Sequence, residues 1–338
     1  MYILNRIGGT FILIFHSRKP SIRANAYELL ARHLPDHHLS KNDILKDASI
    51  IRAGEYGEQR IDQFLKQFSS PEFLIGLNLT LPYEGETIQL DHLVITPSFA
   101  LTIETKHLKG HIKLDYENGH MYRNENDHSL STWIHPLVQA ERHQAGLLNL
   151  FKKINVNLPV YSLIPFTHSS AHLEAVGTTN ILPKNLFRAE QFTMKLRQLI
   201  ETNCNRLYES IELNDIAASI ISYGVNEKIY DVRKKYNLLP DSLQAGVWCH
   251  TCAQLSAEWR SQRFRCNICG EPCDETYLDT LYVYLTFIYP TISNRQARSL
   301  LKGCNADTVR YLLHKADLIP VNKTSKRVYK LRISHRDE

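Results

Sequence analysis

Gln89-Leu90-Asp91-His92-Leu93-Val94-Ile95, followed after a short connection by Leu101-Thr102-Ile103-Glu104-Thr105-Lys106, decides how this chain reads. Both runs are apolar, short and rich in β-branched residues, the pattern of buried strands. Each nevertheless carries charge. Burying an unpaired carboxylate is expensive, so Asp91 needs a cation, a hydrogen-bond network or a functional reason to be there. Glu104 and Lys106 are two residues apart. In a strand they face the same side with Cα atoms about 6.5–7 Å apart, while Ile103 and Thr105 point the other way.

On paired strands, Asp91 and Glu104 can jointly hold Mg²⁺ or Mn²⁺, hard ions that prefer oxygen ligands. Such an ion activates a water and stabilises charge developing on a phosphodiester. Lys106 can position that water or offset charge in the transition state. The competing reading is a satisfied Asp beside a cross-strand Glu–Lys pair, which is the better one for an isolated E-x-K. Asp91, thirteen residues upstream in the preceding strand, is what lifts the catalytic reading level with it.

Working outward, Ile61, Phe64, Leu65 and Phe68 recur at helical spacing within 55–68. Glu58 falls on the same face as that stripe and can point at the metal or orient its water; the alternative is a first-turn Glu favoured by the helix dipole. Strands are expected over 73–81, 88–96 and 99–108, then a hairpin over 112–122 that turns at Glu117–Gly119. Pro136 opens a helix that continues to Ile154. Pro159–Phe166 reads as a further strand. The order is helix, three strands, helix, strand, and the class is mixed α/β.

Four motifs stand in order along this region: Gly54-Glu55-Tyr56-Gly57-Glu58, Leu90-Asp91-His92-Leu93-Val94-Ile95, Ile103-Glu104-Thr105-Lys106 and His135-Pro136-Leu137-Val138-Gln139. Together they resemble the NERD (nuclease-related) domain, a family grouped with the PD-(D/E)XK, restriction-endonuclease-like nucleases. The resemblance covers roughly residues 50–165. It implies an α-β-β-β-α-β core, a mixed sheet flanked by helices. It also implies Asp91, Glu104 and Lys106 as the D…E-x-K triad, Glu58 as the early acidic residue and Gln139 as the polar residue of the later helix. Leu90 stands where the motif's name has proline. Members of the family bind DNA with or without cutting it. His92 and His143 read as hydrogen-bonded structural histidines.

Of seven cysteines, four form Cys249-His250-Thr251-Cys252 and Cys266-Asn267-Ile268-Cys269-Gly270. Two C-x-x-C turns supply four thiolates, the closed tetrahedral set of structural Zn²⁺, and this looks like a zinc ribbon; reduced free thiols are the alternative. Gly270 suits the tight turn after the second pair. Cys273 and His250 are surplus, while Cys204 and Cys304 are expected to be packed small side chains.

The net charge of +5 acquires meaning from its location. From Ser293 to Glu338 there are eleven Lys or Arg against four Asp or Glu, which leaves the remainder slightly acidic. A basic tail suits phosphate contact, but charge alone favours the alternative, a solvated helix face. Ser293 can cap one helix, Gly303 end it, and Asn305 or Asp307 start a second. This resembles a helix-turn-helix with Val328-Tyr329-Lys330-Leu331 as a wing strand; a small helical packing module is the alternative. Thr308, Arg310 and Lys315 are the candidate nucleic-acid contacts on the second helix, with Lys326 and Arg327 reaching phosphates.

With 338 residues, 43% hydrophobic and 22% charged, the chain can bury more than one core. No apolar stretch reaches the roughly 18–20 residues of a membrane helix. Tyr2–Phe15 is interrupted by Arg6, Gly8 and Gly9, so it reads as a short strand or irregular extension, with a signal peptide as the minority alternative. The expected divisions are an N-terminal extension (1–50), a nuclease-like domain (51–225), a zinc ribbon (245–275) and a basic C-terminal module (276–338), with a linker near 237–246. The expected function is a cytoplasmic, Mg²⁺- or Mn²⁺-dependent nuclease acting on DNA in preference to RNA, without membrane contact. Cutting both strands of a duplex needs two sites, which a homodimer would supply. The alternatives are a non-catalytic nucleic-acid-binding or scaffold protein that retains the fold, and a protein-interaction module.

Overall fold

The computed structural model describes residues 3–7, 10–18, 22–68, 70, 72–125, 129–177, 180–225, 232–239, 241–321 and 327–332. It opens with β1 (Ile3–Ile7), β2 (Thr10–His16), α1 (Ile22–Arg32) and α2 (Lys41–Leu65). Next come β3 (Leu74–Tyr83), β4 (Glu86–Ile95), β5 (Ala100–Ile103), β6 (Gly110–Asp115), β7 (His120–Asn124) and β8 (Leu130–Ile134). The middle of the chain holds α3 (Pro136–Lys153), β9 (Val160–Phe166), β10 (Ala171–Val176), β11 (Leu186–Arg188), α4 (Phe192–Thr202), α5 (Ser210–Tyr223) and α6 (Val232–Lys235). Last are β12 (Val247–Cys249), β13 (Gln254–Arg260), β14 (Arg263–Cys266), α7 (Tyr277–Phe287), β15 (Ile292–Ser293), α8 (Asn294–Leu300), α9 (Ala306–Lys315), β16 (Ile319–Pro320) and β17 (Val328–Lys330). Among the described residues, no helix is long and apolar enough to cross a membrane.

Two units share these elements: residues 1–20 with 53–227, and 21–52 with 228–338. The four divisions expected from the sequence are thus distributed over two cores, and the sequence of α2 contributes to both.

In the first unit a seven-stranded mixed sheet runs β1-β2-β3-β4-β5-β9-β11. One face packs Leu79, Leu81, Ile88, Leu90 and Leu93 against Leu147 and Phe151 of α3 and Leu213 and Ile220 of α5. The other packs Ile75, Val94, Leu101 and Ile103 against Ile61 and Leu65 of α2 and Phe192 and Leu196 of α4. This is a mixed α/β architecture with a sheet between helices, as the alternating periodicities predict. The opening stretch forms two strands, and β2 adds to the sheet parallel to β3.

The hairpin after β5 belongs to a second sheet, β10-β6-β7-β8, in which β10 pairs parallel to β6. Neither β8 nor β10 is expected from the sequence, because their part-exposed patterns carry little apolar alternation. α3 begins as predicted, with Pro136 at its first turn. Burial keeps His135 neutral, with its pKa lowered to about 4, so that Nδ1 accepts the Leu137 amide at 3.1 Å.

Two expectations need correction. The third strand was expected to reach Leu108 but ends at Ile103, where backbone pairing gives way to the side-chain bond described below. The first-turn reading of Glu58 fails because the helix starts at Lys41, so Glu58 sits deep in its interior, beyond the reach of the terminal dipole.

The second unit has its own core, including Leu30, Leu34, Ile44, Val247, Phe264, Tyr277, Leu301, Val309 and Leu313. The cysteine segment folds as the sheet β12-β13-β14, followed by α7. After α7, β15, α8, α9, β16 and β17 make a helical pair beside a sheet of order β15-β17-β16. Ser293 and Asn305 cap α8 and α9 through side-chain bonds to the amides of Gln296 and Thr308. α8 ends at Leu300 with Leu301 as its C-cap, earlier than the expected stop at Gly303, which lies two residues beyond the cap in the left-handed region, φ 82°; a Cβ there would lie 2.7 Å from the Trp259 carbonyl oxygen.

Candidate active site and metal centre

The site forms where two neighbouring strands part. β4 and β5 pair from Ile95↔Ala100 to His92↔Ile103, and the ladder stops one step short of Asp91 and Glu104. Instead, Asp91 Oδ2 accepts the Thr105 amide at 2.8 Å, so a side chain satisfies a donor that the strand would otherwise have used. The opposite edge keeps its order. The Glu104 and Lys106 amides donate to the carbonyls of Leu163 and Pro165 on β9.

A second irregularity sets direction. The β3–β4 ladder omits Asn78, the residue facing Asp91, and Asn78 has φ of 51°. Ile88 and Leu90 before this point, and Leu93 and Ile95 after it, pack into the same core. Side-chain alternation therefore changes parity at Asp91 and His92. The two adjacent polar residues are served by different neighbours: Asp91 by Thr105, and His92 by Asp62 of α2.

Glu104 is 3% exposed. Its Oε1 accepts from Lys106 Nζ at 2.5 Å, and Nζ also donates to Gln139 Oε1 of α3 at 2.9 Å. Glu104 Oε2 is buried with no hydrogen bond; His143 Nδ1, on α3, is 3.3 Å away but not aligned to make one. Burial holds His143 neutral, with its pKa lowered to about 4. Asp91 keeps part of its surface in solvent, yet burial of its carboxylate, and then repulsion from Glu104, raise its pKa to about 6. Two mutually repelling carboxylates, one with an orphaned buried oxygen, fit a hard divalent cation. Asp91 and Glu104 are the residues that could hold it.

The structure brings Asp91, Glu104, Lys106 and Gln139 together through these contacts. Glu58 stands in a different network, in which Arg18 is its ion-pair partner. Arg18 also reaches Asp62 at 3.1 Å and Asn78 at 2.8 Å, and His92 Nε2 donates to Asp62 Oδ1 at 2.7 Å. Burial pushes Asp62 up, but the His92 hydrogen bond and the Arg18 charge outweigh it and hold the carboxyl below its ordinary value. Sequence reading missed this network. Asp62 beside Ile61 was a weak sign of it, and nothing around Arg18 signals its role.

In the second unit, Cys249, Cys252, Cys266 and Cys269 place their sulfurs within 4.8 Å of one another. The Cys249–Cys269 and Cys252–Cys266 Sγ separations are both 3.7 Å. Tetrahedral Zn–S bonds of about 2.3 Å give sulfur–sulfur edges of about 3.8 Å, so the set fits a metal ion such as Zn²⁺. Burial pushes the Cys266 thiol up, yet hydrogen bonds from Ser256 and from the amides of Cys269 and Ile268 win and hold it at about 6. Gly270 makes the knuckle turn at φ 77°. Cys273 is buried beside the four and Cys304 is half-buried. Cys204 departs from its expected packing: it is exposed, in the loop after α4.

Of the predicted nucleic-acid contacts, Thr308 is half-buried on α9, while Arg310, Lys315 and Arg327 are exposed. Arg310 pairs with Asp307 at 3.0 Å. Lys326 lies outside the described residues. Tyr311, 59% exposed on the same helix, was not anticipated.

Residues 53–167 match the nuclease-related domain (NERD) family, a span that contains Glu58, Asp91, Glu104, Lys106 and Gln139. No curated protein and no solved structure matches the chain. The chain therefore carries a nuclease-related domain over residues 53–167, beside a Cys₄ cluster able to bind a metal ion.

Proposed function

We propose that this protein is a divalent-metal-dependent nuclease of the restriction-endonuclease-like, PD-(D/E)XK type, hydrolysing phosphodiester bonds of DNA in its processing or repair. The observation that carries the reading is Glu104 Oε2, a buried acceptor with no donor, beside a second carboxylate whose protonation it perturbs. Mg²⁺ or Mn²⁺ bound there would supply Lewis-acid activation of water and of the scissile phosphate. Asp91 and Glu104 would hold it. Lys106, anchored by Glu104 and Gln139, presents its ammonium where negative charge develops. Neutral His143 keeps a positive charge away from the ligand set. Glu58 acts at one remove, fixing Arg18 against the Asp62–His92 pair behind Asp91.

The cysteine cluster is a structural zinc ribbon, since four thiolates leave no open position. The α8–α9 pair with its three-stranded sheet is a winged helix-turn-helix that grips duplex DNA through Thr308, Arg310, Lys315, Lys326 and Arg327. The protein works in the cytoplasm, and as a homodimer where both strands are cut.

One observation favours a second reading, nucleic-acid binding without turnover: Lys106 already neutralises Glu104 and completes a hydrogen-bonded network with Gln139. Calorimetric titration with Mn²⁺ separates the two. The nuclease reading expects a divalent-ion site at neutral pH that Glu104→Ala abolishes. Failure to bind the ion, with DNA affinity intact, gives the second reading.

A further inference from the structure

Wholly within the second unit, α1, the start of α2, the ribbon and Lys302 enclose an open cavity of about 870 Å³. Its wall carries a cation–π pair. The Arg32 guanidinium lies over the Trp248 ring, 5.4 Å from its centroid. Trp248 directly precedes the first cysteine of the metal-binding knuckle, and its carbonyl accepts from Thr276 Oγ1 at 2.7 Å, so the indole is held from a rigid base.

The charges lining the cavity are of two kinds. Its carboxylates are already engaged: Glu28 takes Arg52 at 2.5 Å, and Asp36 takes Lys41 at 2.8 Å. Neither Arg32 nor Lys302 forms a direct ion pair among the described residues, although Glu28 and Asp279 lie close enough to feel the Arg32 charge. What remains is a pocket with one more cation than carboxylate in its lining, and a guanidinium placed over an aromatic ring. That is the combination which binds a nucleobase by stacking and its phosphate by charge, with little regard to sequence.

We propose that this cavity binds single-stranded nucleic acid, one base packing against the Arg32–Trp248 cation–π pair and an adjoining phosphate meeting Lys302. The inference stands apart from the hydrolytic role of Asp91 and Glu104. Its test therefore uses full-length Glu104→Ala protein without added divalent ion, so that loss of cleavage cannot masquerade as loss of binding.

Fluorescence anisotropy of a labelled oligothymidylate measures the affinity across a salt series, with circular dichroism and bound zinc as checks on folding. Arg32→Ala should weaken single-strand binding by about tenfold, the range seen when a base loses its stacking partner, and Lys302→Ala should weaken it measurably through loss of a phosphate contact. Lys302→Ala should also flatten the log–log salt slope by about 0.7, one phosphate contact to a single strand. Binding should quench tryptophan emission in the parent and much less in the conservative Trp248→Phe. Unchanged affinity and slope in folded Arg32→Ala and Lys302→Ala proteins would overturn the proposal. So would equal losses on duplex DNA, displacement of the oligonucleotide by polyglutamate, or binding of thymidine monophosphate as tight as that of the strand.

Discussion

Asp91 is the residue on which the site turns, because it is held as a carboxylate where a lone carboxylate is unstable. Burial, then repulsion from Glu104, place its pKa at about 6, above its ordinary value of 3.8. Its contribution to stability is therefore fully present below pH 3.8 and is lost as pH rises through 6. His143 runs the other way: burial lowers its pKa to about 4, so its contribution is present above 6.5 and lost as pH falls towards 4. Asp91→Asn removes the first effect and, by taking away the charge that favours protonated His143, lowers the His143 pKa further. At pH 8 without divalent ions, thermal unfolding should show the variant more stable by about 1 kcal/mol or more, because each unit of pKa shift is worth about 1.4 kcal/mol. Mn²⁺ should stabilise the wild type and not the variant. In the wild type, Mn²⁺ affinity measured by calorimetry should fall steeply below about pH 6, as protons compete for Asp91. A variant that is destabilised yet still responds to the ion would count against the site. At this scale much was legible in the sequence, since a charge in an apolar run is a physical contradiction that can be read directly. The Arg18–Glu58 pairing was not, because it joins residues forty apart through contacts that no local pattern encodes.

Between elements, the close fit of α2 to the strand ends around the site is set by glycine spacing. Gly54 and Gly57 lie on the same helix, three residues apart. A Cβ at Gly54 meets nothing within 4 Å, whereas one at Gly57 would lie 2.7 Å from both His107 Cβ and Thr167 Oγ1. Gly54→Ala should stabilise by up to about 1 kcal/mol through helix propensity alone. Gly57→Ala gains the same propensity but overpacks a junction whose atoms sit close to the backbone. It should be net destabilising, the clash costing about 1–3 kcal/mol. Denaturant unfolding of the two variants tests this directly; equal effects would mean that the helix does not seat here. The helices and long strands were readable because their apolar periods are strong. The end of β5 was not, because it is set by where Asp91 intercepts the Thr105 amide, a bond between strands that sequence spacing alone does not predict.

For the whole molecule, the Cys₄ cluster lies in the core of the second unit, where Cys249 and Cys266 are packed with Val247, Phe264 and Tyr277. Removing the metal should therefore unfold that unit selectively. Calorimetry after treatment with a strong zinc chelator should lose or lower one transition and leave the first unit's transition in place, and metal analysis of untreated protein should find one zinc per chain. The C-x-x-C spacing made this cluster plain in the sequence. The assignment of residues 21–52 to the same unit was not, since those helices find their core nearly two hundred residues downstream. The central claim, that Asp91, Glu104 and Lys106 form a phosphodiester-hydrolysing site, is tested most directly by the single-turnover cleavage rate of DNA in Mn²⁺. Wild-type protein should cut, Lys106→Ala should be slowed by roughly 100-fold or more as for loss of one transition-state contact, and Glu104→Ala should not cut. Cleavage at the same rate by wild type and folded Glu104→Ala, or none by wild type that has bound both the ion and DNA, would contradict it.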